Sequence, residues 1–223
     1  MFRYEPPDSN DMLMNIVANR RGYLGIERFN DLVLDAMRRT DRALFAEPTT
    51  KHIFEDEPFC IGENQTCSQP SMVAAMATLL ELEPGMHVLE IGTGCGYSAV
   101  VTSCLLGPEG TLDTIEFVEA LSLRARERIG KHFPDLKIRY HVGDGSVGLP
   151  AYAPFDRIFM TAGAGRYFDD TILLKQLPDE GILLYPESFG SMFLVRKTKK
   201  GTVKKELPGV GFVALRGENS GYR

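Results

Sequence analysis

No stretch of this 223-residue chain approaches the roughly 18 uninterrupted apolar positions that a membrane-crossing helix needs. The opening MFRYEPPDSND has no apolar core and no cleavage site, so it does not read as a secretory signal. Cysteine occurs four times, at Cys60, Cys67, Cys95 and Cys104, and never as Cys-x-x-Cys. Free thiols in a reducing cytoplasm are the simplest expectation. His52, His87, His132 and His141 stand singly, which leaves no clustered ligand set and no metal to expect. With 25 Lys and Arg against 30 Asp and Glu, the chain lacks the basic footprint of a nucleic-acid binder. There is no internal repeat and no low-complexity segment.

The composition that remains is that of a globular protein. Apolar residues make up 43% and charged residues 25%, enough to build a core without disulfides or metals. The length suits one large domain, or one domain with extensions, better than two.

Helical spacing places one segment around Met12, Leu13, Ile16 and Val17, and a second around Phe29, Leu32, Val33, Ala36 and Met37. Residues 46–70, punctuated by Pro48, Pro58, Gly62 and Pro70, read as irregular. Ser71 then caps an amphipathic helix that Pro84-Gly85 stops. From His87 the chain alternates: strands at His87–Ile91, Thr111–Glu116, Lys137–Val142, Phe155–Thr161 and Gly181–Tyr185, with helices between them. That pattern predicts an α/β fold with a doubly wound, mostly parallel sheet and a ligand at the carboxyl ends of its strands. Met192–Lys197 and Val210–Leu215 read as closing antiparallel strands joined by a Lys- and Gly-rich turn. The basic run Arg196, Lys197, Lys199, Lys200, Lys204 and Lys205 fits a solvated hairpin better than an RNA-binding surface.

The chemistry-bearing stretch is Glu90-Ile91-Gly92-Thr93-Gly94-Cys95-Gly96. Glycines after a first strand let backbone approach a ligand, and the helix that follows offers free N–H groups. Such a loop also fits the loose dinucleotide pattern, but no Lys or Arg occurs from Met86 to Ser122. A carboxylate at Glu90 is a poor neighbour for pyrophosphate and a good one for a cation such as S-adenosylmethionine. Glu116, ending the second strand, could accept both hydroxyls of a ribose. Asp144, in Gly143-Asp144-Gly145-Ser146 after the third strand, could meet an adenine amino group. Each acid also has a plainer reading: a solvated Glu90, a helix-capping Glu116 and an Asp-Gly turn. Together they make Glu90, Gly92, Thr93, Gly94, Gly96, Glu116, Asp144 and Gly145 the candidate cofactor residues.

At this point the sequence resembles a known family, the protein-L-isoaspartate (D-aspartate) O-methyltransferases. LEIGTGCGY (Leu89–Tyr97) is similar to the family's cofactor loop. GENQTCSQP (Gly62–Pro70) is similar to its G-x-x-Q-T-I-S-x-P segment. GDGS, APFDRI, LLKQLPDEGILLYP and the opening AMRRTDRALFA follow in the family's order and spacing, so that the likeness runs from about Met12 to Leu215.

The resemblance implies a Rossmann-like class I methyltransferase. Residues 1–70 form a helical N-terminal extension with a substrate-binding segment, and residues 71–223 form the core, in one compact whole. It implies methyl transfer from S-adenosylmethionine to the free carboxylate of an L-isoaspartyl residue, the first step of repair. Alternatives are another peptidyl or small-molecule acceptor, or a non-catalytic relative. Ser68 and Thr66 become the candidate catalytic residues, as hydroxyls for the acceptor carboxylate. The plain alternative for Ser68 is a turn before Pro70. Cys67 replaces the family's usual isoleucine and reads as a small buried apolar side chain. The partners implied are isoaspartyl-containing proteins or peptides, with neither nucleic acid nor membrane, for a cytoplasmic monomer or small oligomer.

The chain also departs from the family. Thr161-Ala162-Gly163-Ala164-Gly165-Arg166-Tyr167-Phe168 stands where Ala-Ala-Ala-Pro is usual. Pro186-Glu187-Ser188 replaces Pro-Val-Gly, Met192 replaces a glutamine, and Gly211 and Ala214 stand where many members have Arg and Pro.

Overall fold

A computed structural model describes residues 8–222. The segment Met1–Pro7, the bulk of the opening that reads as no secretory signal, lies outside the described residues. The chain begins with α1 (Asn10–Asn19) and α2 (Asp31–Arg39). Ser9 caps the first by accepting from Met12 N, and Asn30 caps the second by accepting from Leu32 N at 2.8 Å. Their buried stripes, Leu13-Met14-Val17 and Val33-Leu34-Ala36-Met37, have the spacing of one helix face.

Residues 46–70 are not wholly irregular. They hold an antiparallel hairpin, β1 (Phe59–Gly62) and β2 (Gln65–Cys67), turned by Glu63 and Asn64 at φ 53° and 56°. A two-residue turn with both φ positive matches strand twist, but the usual Asn-Gly signal is absent. The helix α3 (Pro70–Leu79) starts one residue before the expected cap. Proline occupies its first turn, and Ser71 lies inside it, bonding Asp56 through both its N–H and its hydroxyl. Every residue from Pro70 to Ala77 is buried, so α3 is a core helix and not an amphipathic one.

The alternating region gives β3 (His87–Ile91), α4 (Tyr97–Leu106), β4 (Thr111–Glu116), α5 (Glu119–His132) and β5 (Ile138–Val142). Then follow β6 (Arg157–Met160), α6 (Thr171–Leu174), β7 (Ile182–Pro186), β8 (Phe189–Thr198) and β9 (Gly201–Gly211). The sheet order is β5-β4-β3-β6-β7-β8-β9, parallel through β7 and antiparallel in the last two pairings. The last strand was expected at Val210–Leu215 but lies mainly before it. Its Lys204, Lys205 and Glu206 suit an exposed edge strand, and such charge reads in sequence as a turn. Of the basic run, Arg196 pairs Glu81, Lys197 donates to Leu174 and Leu177 carbonyls, and Lys204 pairs Asp170.

Central strands alternate between two cores. Val88, Phe159, Ile182 and Leu184 join the cluster that includes the N-terminal helices, while Leu89, Ile158, Leu183 and Tyr185 join the other. Both faces of the sheet are therefore covered, as a parallel sheet requires. The strand order reverses direction at β3, between β4 and β6, which opens a crevice where their carboxyl-end loops part. Among the described residues no helix is long and apolar enough to cross a membrane.

Candidate active site

The crevice is a cleft of about 560 Å³ at the carboxyl ends of β3, β4 and β6. Gly92 and Gly94 form one wall with φ of 105° and 53°, and Gly96 opens α4 at φ 91°. A Cβ on Gly92 would stand 2.2 Å from Thr161 Oγ1. That hydroxyl donates to the Gly92 carbonyl at 2.6 Å, so the loops after β3 and β6 are pinned together. Glu116 faces the same cleft with a carboxylate fixed from two sides. It accepts from Gly94 N at 2.9 Å and from Val118 N at 3.0 Å, and each oxygen keeps a lone pair for a ligand. Gly145 completes the wall, where a Cβ would stand 2.7 Å from Ile91 Cγ2. Ile91, Ile115 and the exposed Phe117 supply apolar surface, with the Arg216 guanidinium 5.8 Å over the Phe117 ring. Backbone donors, one carboxylate and apolar faces are a donor set that fits a cationic, adenosine-bearing ligand.

Four candidate residues lie beside the cleft and do not line it, Gly96 among them at the start of α4. Glu90 is fully buried under the glycine loop. Burial pushes its carboxyl up to about 8, although hydrogen bonds from Thr114 and Ser98 favour the charged form. One of its oxygens has no partner. Thr93 is buried, bonded to Thr114 Oγ1 at 2.7 Å. Asp144, expected to meet an adenine amino group, caps a 3-10 turn through Ser146 and accepts from Glu218 N at 2.8 Å.

Gln65–Ser68, the segment expected to meet an acceptor, begins at the cleft and continues beyond its Thr66 wall. A second cavity, about 550 Å³, is lined by Tyr23, Thr66, Ser68, Gln69, Met72 and the end of β9. A third, about 330 Å³, lies between it and the cleft. Thr66 and Thr161 line all three, and Ser68 lines the second and third. Among the described residues, neither the Thr66 nor the Ser68 hydroxyl has a hydrogen-bond partner. The backbone beneath them is held by Arg42, a wholly buried guanidinium that donates to the carbonyls of Ile53, Glu55, Glu57 and Ser68 and lies 4.4 Å over the Phe59 ring.

Sequence reasoning missed Thr161, Phe117 and Arg42. Thr161 directly follows a strand at the switch point, and that position is itself a signal. Arg42 gave none, because it follows Arg38 and Arg39 in a run that looks solvated.

The chain matches the model of the protein-L-isoaspartate (D-aspartate) O-methyltransferase family over residues 10–220. It belongs to that family. A protein-L-isoaspartate O-methyltransferase of Ignicoccus hospitalis is 40% identical over 210 residues, 92% of this chain and 95% of the relative. One from Methanothermobacter thermautotrophicus is 42% identical, covering 89% and 91%. A solved protein-L-isoaspartate O-methyltransferase superposes with a TM-score of 0.80 at 25% identity, covering 95% of this chain and 67% of its own. A structure from Plasmodium falciparum, in complex with S-adenosyl-L-homocysteine, superposes at 0.76 and 21% identity, over 94% and 99%.

Thr161–Phe168, Pro186–Ser188 and Ala214, where the chain departs from the motifs it otherwise resembles, lie together through bridges Gly163–Ala214 and Ala164–Glu187. Gly163 bonds Val213 and Leu215 through its backbone, and a Cβ on it would stand 2.4 Å from Ser188 Cα. Gly165 N donates to Ser220 O, and Tyr167 N to Gly221 O. Tyr222 donates to Gly163 O at 2.9 Å and its hydroxyl bonds Ser188. Asn219 bonds both Ser146 and Asp169. Residues 216–222 thus form a strap across the loops after β5, β6 and β7. The substituted positions near Gly163 and Ser188 are the ones that receive it.

Proposed function

We propose that this chain transfers the methyl group of S-adenosylmethionine to the free carboxylate of L-isoaspartyl residues in damaged proteins and peptides, and so initiates their repair. The observation that carries this reading is the pair of unpartnered hydroxyls, Thr66 and Ser68, where the cofactor cleft and the acceptor cavities meet. A carboxylate is already ionised at neutral pH, so the site needs no general base. What it needs is orientation and exclusion of water. Thr66 and Ser68 donate to the acceptor carboxylate, and Arg42 fixes the backbone that carries them.

S-adenosylmethionine, when bound, supplies a methyl group activated by its own sulfonium charge. Glu116 accepts from the ribose hydroxyls, and the Gly92, Gly94 and Gly145 backbones leave room beside it. Gly96 opens the N-terminus of α4. Thr93 and Glu90 support the glycine loop from below, and Asp144 shapes the far wall through the strap. Isoaspartyl proteins or peptides are the partners, met by a monomer or small oligomer. A cytoplasmic location belongs to the same reading and is supported by the four free thiols.

Labelled methyl transfer to matched peptides bearing isoaspartate, aspartate or asparagine tests it. Label should appear on the isoaspartyl peptide alone. Label on another acceptor with none on isoaspartate would overturn the assignment. No transfer at all, with S-adenosylhomocysteine still bound, would mark a non-catalytic relative.

A further inference from the structure

Cys67 and Cys95 are far apart in sequence but share one cavity. Cys67 lies between the two candidate acceptor hydroxyls, and Cys95 lies inside the glycine loop. Both are free and buried, and both line the small cavity between the cofactor cleft and the acceptor side. Each thiol is the largest single influence on the other's ionisation. The cavity shares Thr66, Gly92, Gly94 and Thr161 with the cofactor cleft, which places both cysteines beside it. Two arginines stand against the pair. Arg128 donates to the Cys95 carbonyl at 3.2 Å, and Arg42 donates to the Ser68 carbonyl at 3.2 Å.

We propose that a hydroperoxide converts Cys67 and Cys95 into a reversible disulfide, and that this bond stops methyl transfer by displacing Thr66 and Ser68.

The two thiols are unequal, as such a reaction requires. The Cys95 side chain lowers the Cys67 thiol below its usual range; burial opposes this, and the positive charges of Arg42 and Arg128 reinforce it. The Cys67 side chain, with burial, raises Cys95. Cys67 is therefore the nucleophile and Cys95 the resolving thiol.

The Cys67 thiolate attacks one peroxide oxygen and the O–O bond breaks. The leaving oxygen takes a proton and departs as water, or as an alcohol from an organic peroxide. Cys67 is now a sulfenic acid. Cys95 loses its proton and attacks the Cys67 sulfur, the S–O bond breaks, and hydroxide leaves as water. The two sulfurs lose two electrons and the peroxide gains them; a dithiol reductant returns them.

A disulfide holds its sulfurs about 2.05 Å apart. That is far inside the contact distance of two unbonded sulfurs, so the bond draws β2 and the glycine loop together. Thr66 and Ser68 flank the moving residue, and an error of about 1 Å in such positioning costs roughly 100-fold in rate.

The test exposes the reduced full chain to hydrogen peroxide. Peptide mass mapping reads the cross-link, and methylation of an isoaspartyl peptide is followed before and after dithiothreitol. The expected result is a Cys67–Cys95 cross-link, a rate lowered by roughly 100-fold, and recovery on reduction. Cys67→Ile and Cys95→Ser, each compared with its own reduced sample, should lose the response; Cys60→Ser should keep it. Absence of that cross-link in the wild-type chain overturns the inference without any variant having to fold. So does a cross-linked protein that keeps its rate. The rate measurement rests on the acceptor assigned above, but the cross-link does not. A cross-link in a protein that methylates no isoaspartyl peptide even when reduced counts against the acceptor and supports the thiol pair.

Discussion

In the proposed reaction, the unpartnered hydroxyls of Ser68 and Thr66 meet an acceptor that arrives already charged. Loss of one charge-assisted hydrogen bond, about 1.5–3 kcal/mol, lowers kcat/KM by roughly 10- to 150-fold. Ser68→Ala should show this in initial rates while calorimetry gives near-normal affinity for S-adenosylhomocysteine. A parallel fall in affinity and melting temperature would make Ser68 a structural residue. Glu90 offers a second measurement. Its folded pKa of about 8 exceeds the ordinary 4.5, so the folded chain holds a proton that the unfolded chain releases. Stability therefore falls as pH rises from 4.5 towards 8. Glu90→Gln removes that dependence. Its melting temperature should gain on the wild type between about pH 5 and pH 8 by the equivalent of a few kcal/mol. A constant difference would mean Glu90 is already ionised in the fold. Sequence placed the glycines and Glu116 because a strand end fixes where its next residue points. It did not show the bond that Asp144 accepts from Glu218 N, 74 positions away.

Elements were legible where their period was clean and hidden where charge or burial disguised it. The strand at Thr111–Glu116 reads directly, because β-branched Thr111, Thr114 and Ile115 favour a strand and Gly110 bounds it. The β1–β2 hairpin lacks a glycine turn signal, and β9 carries lysines along an open edge. α3 is buried all round, so no polar face betrays its orientation. Arg42 organises four carbonyls, yet a lone arginine in sequence cannot show that. A further constraint across elements is Asp113 on β4, whose side chain is fully buried. It accepts from His87 on β3 at 2.6 Å, and from His141 at 2.7 Å and Arg139 Nε at 2.9 Å on β5. Burial alone would raise its pKa, but the bonds from His87, Arg139 and His141 outweigh it and hold the group at about 2. Its contribution is complete above the ordinary 3.8 and is lost as pH falls through about 2. Asp113→Asn should destabilise the protein by roughly 3 kcal/mol in urea unfolding at neutral pH. It should also flatten the acid limb between about pH 4 and pH 2. An unaltered acid limb would show that the three strands do not depend on this carboxylate.

At the scale of the whole molecule, alternating strands and helices foretold the doubly wound sheet and the end at which a ligand enters. Nothing in the sequence announced the strap, because residues 212–222 have no period and act only through distant partners. Deleting residues 217–223 should remove its bonds to Asp144, Ser146 and Gly163. A loss of about 2 kcal/mol would lower Tm by roughly 4–8 °C for a chain of this length. Calorimetry should show weaker S-adenosylhomocysteine binding in the same variant, and an unchanged melting curve would reduce the strap to decoration. The strap also sets an order of events during synthesis. Translation delivers the residues that grip the cofactor's far wall after every residue they hold in place. A nascent chain can assemble its helices and parallel strands on the ribosome and still be unable to close the site. The finished pocket thus appears only once residues 216–222 have emerged, which makes cofactor capture a later event than assembly of the sheet.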